Sequence, residues 1–107
     1  MSDAEASETI VEPGPEYGDG EVVRIRIRKR GRRIDLDDDG LAWRKAGASG
    51  SAALEAAERV VAEEGFNVNR RGVVFVPVVE GRDIDELAQR LAATSVDVYA
   101  ELLELSG

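Results

Sequence analysis

The 107-residue sequence contains no cysteine and no histidine. The absence of Cys excludes disulfides, thiolate metal sites and Cys nucleophiles. The absence of His removes the usual general base near neutral pH and the commonest metal ligand. An enzyme built from this chain would depend on carboxylates, hydroxyls, Lys or Arg, so we expect no catalytic residues and no cofactor.

Long apolar segments are also missing. The longest uncharged apolar run is Val73–Val79, seven residues, whereas a membrane-spanning helix needs about 20 residues. The N-terminus is acidic and has no apolar stretch of the kind that a signal peptide requires. We therefore expect a soluble cytoplasmic protein that does not contact membranes.

The charges are present in quantity, but they are unevenly distributed. The chain has 14 Lys and Arg against 22 Asp and Glu, a net charge of -8. Residues 1–21 contain seven acids and no base, and residues 22–33 contain seven bases and no acid. Adjacent blocks of opposite charge favour pairing at close range. We hypothesise that the acidic segment covers the bases until a polyanion or a protein partner displaces it.

The composition divides the chain into two parts. Residues 1–20 are acidic and poor in apolar side chains, and Pro13-Gly14-Pro15 opposes regular structure. We predict a disordered acidic tail over residues 1–20. Residues 21–107 have the size of one domain.

The apolar periodicity of residues 21–107 predicts an α+β domain. Val22–Arg28 alternates apolar and basic side chains, as a strand with one buried face does, and Arg33–Leu36 returns after a turn at Gly31. Leu41–Trp43 is a short strand or a single helical turn. A helix over 52–64 with Ser51 as N-cap, a second hairpin from 66–69 and 73–78, and a helix from about Asp83 to Leu105 follow. The order is β-β-(short element)-α-β-β-α, and we expect two layers, a largely antiparallel sheet packed by two helices.

The first hairpin is a candidate binding site for an anion or a nucleic acid. Arg contacts phosphates well, and a basic β-ribbon can follow a nucleic-acid backbone. No aromatic residue lies among the bases to stack on nucleotides, and the acidic chain opposes polyanion binding. The alternative is a solvated outer face of the strand. The candidate residues are Arg24, Arg26, Arg28, Lys29, Arg30, Arg32 and Arg33.

The segment Asp35–Gly40 matches the first half of a calcium-binding loop, D-x-D-x-D-G. Its candidate metal ligands are Asp35, Asp37 and Asp39. Position nine of the loop is Trp43 and position twelve is Ala46, so the ligands that complete such a site are missing. The alternative is an Asp-rich turn whose side chains cap local backbone N–H groups.

A second apolar stripe runs along the last helix beside its core-facing stripe. It consists of Ala92, Val96, Tyr99 and Leu103, at helical spacing. A helix that is apolar around so much of its circumference is either deeply buried in its own domain or docks a partner. The stripe is therefore a candidate interface for a protein partner or for a second copy.

The segment Glu21–Gly40, a paired strand that ends in the Asp-Asp-Gly turn Asp38-Asp39-Gly40, together with a helix that ends at Gly65, resembles an uncharacterised family. This is the bacterial and phage-associated family catalogued as domain of unknown function eighteen-twenty-eight. The resemblance covers roughly residues 16–105. It implies an association with phage or mobile-element biology and brings no catalytic residues. The Arg-dense hairpin and the long acidic segment depart from the family's pattern.

Taken together, these patterns favour a small non-enzymatic accessory domain that acts through protein contacts, including self-association through the last helix. A nucleic-acid-associated factor that uses residues 24–33 is the alternative. A metal-binding or enzymatic domain that uses the Asp35–Gly40 turn is the second alternative.

Overall fold

A computed structural model of the chain describes residues 6–79 and 81–106. Within these ranges the protein is an α+β domain with an open, five-stranded antiparallel sheet in the order β1-β2-β3-β5-β4. The elements are β1 (Ala6–Val11), β2 (Ile25–Arg30), β3 (Arg33–Asp37), α1 (Leu41–Ala46), α2 (Gly50–Glu63), β4 (Asn67–Val68), β5 (Val74–Val79) and α3 (Ile84–Ser106).

The predicted α+β class and the order of the elements from β2 onward are confirmed. The short element is the helix α1, which lies between Gly40 at φ 72° and Gly47 at φ 64°. The predicted cap of α2 is wrong. Its N-cap is Ser49, in an extended conformation, because the chain turns into the helix at Gly50 (φ 88°), which places Ser51 inside the first turn.

The prediction of a disordered tail is wrong for residues 6–20. β1 pairs with β2 over its whole length, from Ala6 opposite Arg30 to Val11 opposite Ile25. Tyr17 is 1 % exposed. Composition failed here because strand pairing uses the backbone N–H and C=O groups, which Ala6–Val11 carry whatever their side chains, and because the one aromatic side chain of the segment, Tyr17, is buried. Residues 1–5 of the predicted tail lie outside the described residues.

The sheet has one covered and one open face. The covered face carries Ile25, Leu36 and Val74, which are fully buried against the helices. Because side chains alternate between the faces along a strand, Arg26 and Arg28 lie on the opposite face, as do Asp35 and Asp37, which face them from β3. The arginine side chains of β2 therefore lie on the open face of the sheet.

The helix α3 supplies most of the helical side of the core. Its buried apolar residues include Leu87, Leu91, Val98 and Leu102, at helical spacing, whereas Leu105 near its end is exposed. The side chain of Asp83 caps its first turn by accepting a hydrogen bond from the backbone N–H of Glu86, at 3.1 Å. None of the helices in the described ranges has the length and apolarity needed to traverse a membrane.

Candidate functional site

Two arginines of β2, Arg26 and Arg28, face carboxylates of the neighbouring strands. On one side β3 places Asp37 opposite Arg26 and Asp35 opposite Arg28. On the other side β1 places Glu8 opposite Arg28. Directly opposed side chains of an antiparallel pair share a face, so Arg28 is flanked by acids on both sides and Arg26 on one.

Asp37 is the most deeply buried of these carboxylates, and it binds two guanidinium groups. Its oxygens lie 3.2 Å from Nη2 of Arg26 and 3.3 Å from Nη2 of Arg28, and Oδ1 also accepts the backbone N–H of Asp39 at 2.8 Å. Burial alone would lower the pKa of Arg26, but the hydrogen bond and the charge of Asp37, with the charge of Asp39, outweigh it and raise that pKa.

Two further bases of the predicted ribbon also have carboxylate partners. Nε of Arg24 lies 3.3 Å from Oε2 of Glu12, and Nε of Arg33 lies 3.1 Å from Oδ1 of Asp35. The predicted basic ribbon is therefore largely neutralised by acids of the same chain. Part of that neutralisation comes from the acidic segment, which lies beside the ribbon as the hypothesis of charge pairing requires.

The tip of the β2–β3 hairpin, residues 28–33, is different. There Arg30 lies opposite Arg33 on one side and opposite Ala6 on the other, so no acid of the described strands faces Arg30 across the sheet. A shallow cleft of about 660 Å³ opens at this end of the open face. Its lining residues are Ser7, Glu8, Arg28, Lys29, Arg30, Arg33 and Asp35, four bases and two acids among them. Among the described residues that line this cleft, bases therefore outnumber acids.

The carboxylates of the Asp-rich turn bind groups of the same chain. Asp35, Asp37 and Asp39 each contact an arginine, and no cluster of three metal-ligating side chains occurs in the described part of the chain. The guanidinium groups supply the positive charge that a cation would bring. The alternative to a metal site, a turn whose carboxylates cap backbone N–H groups, agrees with the hydrogen bond that Asp37 accepts from the backbone N–H of Asp39.

The residue that sequence reasoning passed over is Asp38, which is 1 % exposed. Its Oδ1 accepts the N–H groups of Gly40 at 2.8 Å and Val74 at 2.9 Å. Its Oδ2 accepts the hydroxyl of Ser95 at 2.7 Å. Burial raises the pKa of Asp38, although these three hydrogen bonds oppose the shift. Asp38 thereby ties the β3–α1 turn to β5 and to α3.

Tyr17 extends this buried chain of hydrogen bonds to the N-terminal segment. Its hydroxyl lies 2.8 Å from Oγ of Ser95. Because Ser95 gives its one proton to the carboxylate of Asp38, the phenol is the donor in this bond. Burial raises the pKa of Tyr17 to about 12. Within the described residues, every buried side-chain N and O atom has a partner.

Lys45 of α1 lies beside the ring of Tyr17, on the outer side of the same cluster. Its ammonium lies 5.4 Å from the ring centre of Tyr17 and 5.5 Å from that of Tyr99. It also pairs with the carboxylates of Asp19 and, at 2.7 Å, Glu21, and these partners raise the pKa of Lys45. We call Tyr17, Lys45, Ser95 and Asp38 the Tyr17 anchor. No motif reveals it, because its members come from four separate stretches of the sequence.

The predicted interface stripe on α3 is largely used inside the domain. Ala92 is fully buried, and Val96 and Tyr99 pack against the core. The rings of Tyr17 and Tyr99 meet edge to face with centroids 5.4 Å apart. Of the four residues only Leu103, 42 % exposed, lies mainly at the surface. The stripe is covered because the connection between β1 and β2 folds back onto α3.

Comparison with protein-family models, with curated proteins and with solved structures finds no match for this chain. The resemblance to the uncharacterised phage-associated family therefore stays a prediction.

Proposed function

We propose that the chain is a small, non-enzymatic protein-binding domain whose contact surface is the tip of the β2–β3 hairpin, and that its partner presents carboxylates. The observation that carries the proposal is the pairing of Arg30 with Arg33 across the two strands. Like charges directly opposite one another destabilise a sheet. Such a pair is expected where a ligand of opposite charge stabilises it.

The surroundings of the pair support an acidic ligand. Among its described lining residues, the cleft at the tip has two more bases than acids, although the whole chain carries a net charge of -8. Arginine binds carboxylates with two parallel hydrogen bonds, which contribute both affinity and orientation. Arg33 already pairs with Asp35 at 3.1 Å, so a ligand carboxylate at the tip would bind chiefly to Arg30, which no acid of the described strands faces across the sheet.

The same cleft favours a protein over a nucleic acid. Glu8 and Asp35 lie among its bases, where they would repel a continuous row of phosphates. None of the described residues that line the cleft is aromatic, so none can stack on bases. A protein surface, in which acids alternate with neutral groups, is the better match to this mixture.

The proposal is tested by fluorescence anisotropy with two labelled probes, a 12-residue peptide of alternating Glu and Ser and a 20-base-pair DNA duplex, both at physiological salt. The variant is Arg30→Glu with Arg33→Glu. The matched control is Arg59→Glu with Arg82→Glu, which changes the net charge equally at exposed positions outside the hairpin.

We expect the peptide to bind more tightly than the duplex, and the tip variant to weaken peptide binding about tenfold or more, since a charge-assisted hydrogen bond contributes roughly 1.5–3 kcal/mol. The control should retain most of the affinity. Equal losses in the two variants, or tighter binding of the duplex than of the peptide, would overturn the proposal.

A further inference from the structure

The edge of β2 is occupied by β1, and the way β1 is held suggests that other strands can take its place. We propose that this edge is a binding site for an extended acidic segment of a protein partner, and that β1 is a resident competitor for it. The inference deepens the proposed function, on which it rests for the acidic character of the partner.

β1 contributes little to the core. Ser7, Glu8, Thr9 and Ile10 are all exposed, Ile10 at 60 %, and Val11 is half-buried. The strand is paired with β2 alone. Its attachment is therefore mainly a ladder of backbone hydrogen bonds, each of which stabilises by only about 1 kcal/mol net. Elements with few buried side chains open locally at low free-energy cost.

The segment that follows β1 allows it to leave as a unit. Pro13-Gly14-Pro15 separates β1 from Tyr17, and Gly14 has φ 128°. A proline cannot extend the strand ladder, so the pairing of β1 ends before these residues. Tyr17 is held independently by Ser95 and packs against Tyr99. Release of β1 thus leaves the rest of the fold in place.

β1 itself indicates which sequence the site accepts. Glu8 lies opposite Arg28, Ile10 lies opposite Arg26, and Glu12 pairs with Arg24 at 3.3 Å. The pattern is an acid at every fourth position with an apolar residue between them, all on the open face of the sheet. A partner strand of this pattern would form the same backbone ladder and meet the same arginines.

The other margin of the sheet is less suited to strand addition. β4 is two residues long, and the part of β5 that extends beyond it carries Pro77. Proline and short edge strands are the usual ways in which an edge is blocked. Addition of a strand to the outer edge of β1 is the competing arrangement, and it would not require β1 to move.

The experiment uses the full chain with Ser7→Cys and Lys29→Cys, two exposed positions that lie directly opposite in the β1–β2 register. Cross-strand pairs have the Cα spacing of a disulfide, and the chain has no other cysteine. Oxidation locks β1 in place and reduction frees it. The probe is a labelled synthetic peptide with the sequence of residues 3–13. Its control is the same peptide with Glu8 and Glu12, the two acids that face arginines of the β2 region, replaced by Arg.

We expect the reduced variant to bind the peptide at least tenfold more tightly than the oxidised variant, and the charge-reversed peptide to bind neither form. The natural chain, which has no cysteine, should bind equally under both redox conditions. Equal binding to the two forms would place the peptide elsewhere and overturn the proposal, as would no binding to either.

Hydrogen exchange of the natural chain provides a second test that depends on no variant. The amides of the β1–β2 ladder should exchange at least tenfold faster than those of the β2–β3 ladder, and equal protection would contradict the inference. The Arg30→Glu, Arg33→Glu variant separates the two proposals. If the disulfide abolishes peptide binding and this variant retains it, the edge of β2 is the binding site and the tip is not. If this variant loses peptide binding and the disulfide does not affect it, the tip is the binding site and the edge is not.

Discussion

The two halves of the acidic N-terminal segment are held to the domain in different ways. β1 has exposed side chains and is attached through its backbone. The connection that follows places one side chain, Tyr17, in full burial, with a hydrogen bond to Ser95 and an ammonium group beside its ring. The second half is the more polar of the two, consisting of Gly, Pro and acids apart from Tyr17, so the difference teaches that a polar segment becomes fixed where one of its side chains finds buried partners.

The largest expected effect comes from removal of the ring that holds the second half. Tyr17→Ala should lower the free energy of unfolding by about 3–5 kcal/mol, the usual cost of deleting a buried aromatic side chain. Urea denaturation followed by circular dichroism measures it. Ile10→Ala in β1 is the matched control, and a comparable loss in that variant would break the contrast between the halves.

A smaller effect is expected from Ser95→Ala, which leaves the ring in place. The phenol of Tyr17 loses its acceptor and the carboxylate of Asp38 loses one of three donors, so we expect a loss of about 1–3 kcal/mol. A double-mutant cycle with Tyr17→Phe measures the coupling between the hydroxyls. Strictly additive losses would show that the two groups do not act through one hydrogen bond.

Alkaline pH should lower the free energy of unfolding through the ionisation of Tyr17. The pKa of Tyr17 is raised to about 12 in the folded chain, against 10.0 for the free side chain. Between these values the unfolded chain loses the phenol proton while the folded chain keeps it, so stability falls as pH rises. The contribution is complete below pH 10 and is lost as pH passes about 12.

The natural chain and Tyr17→Phe are unfolded in urea at pH values from 9 to 12. The difference between the two proteins isolates the ionisation of the Tyr17 phenol from that of the lysines and Tyr99. The natural chain should show the steeper decline. Parallel curves for the two proteins would mean that the ionisation of Tyr17 is not linked to folding.

The smallest expected effect lies in β1. Ile10→Ser should change the free energy of unfolding by no more than about 0.5 kcal/mol, since the side chain is mostly in solvent and its loss leaves the backbone ladder intact. The same urea titration applies. A loss above about 1 kcal/mol would indicate that β1 is fastened through its side chains, which would also weaken the case for its displacement.

Much of the fold could be predicted because apolar side chains recur along the chain with the period of a strand or of a helix. Alternation along Val22–Arg28 marked β2, helical spacing marked α3, and Asp83 marked its start. The candidate site was located only in outline. The bases of the hairpin were evident, but their partners Asp37 and Glu12 were not, because strand register decides which acid meets which base.

What the sequence by itself determined is the α+β class, the order of elements from β2 onward and the concentration of bases on one hairpin. These features follow from local periodicity and composition. The tertiary structure alone decided that residues 6–11 form a strand, that Tyr17 is buried, and that Asp38 joins it through Ser95. Tyr17 and Ser95 are 78 positions apart in the chain, and no local pattern encodes a hydrogen bond of that separation, since it depends on where folding brings the two elements together.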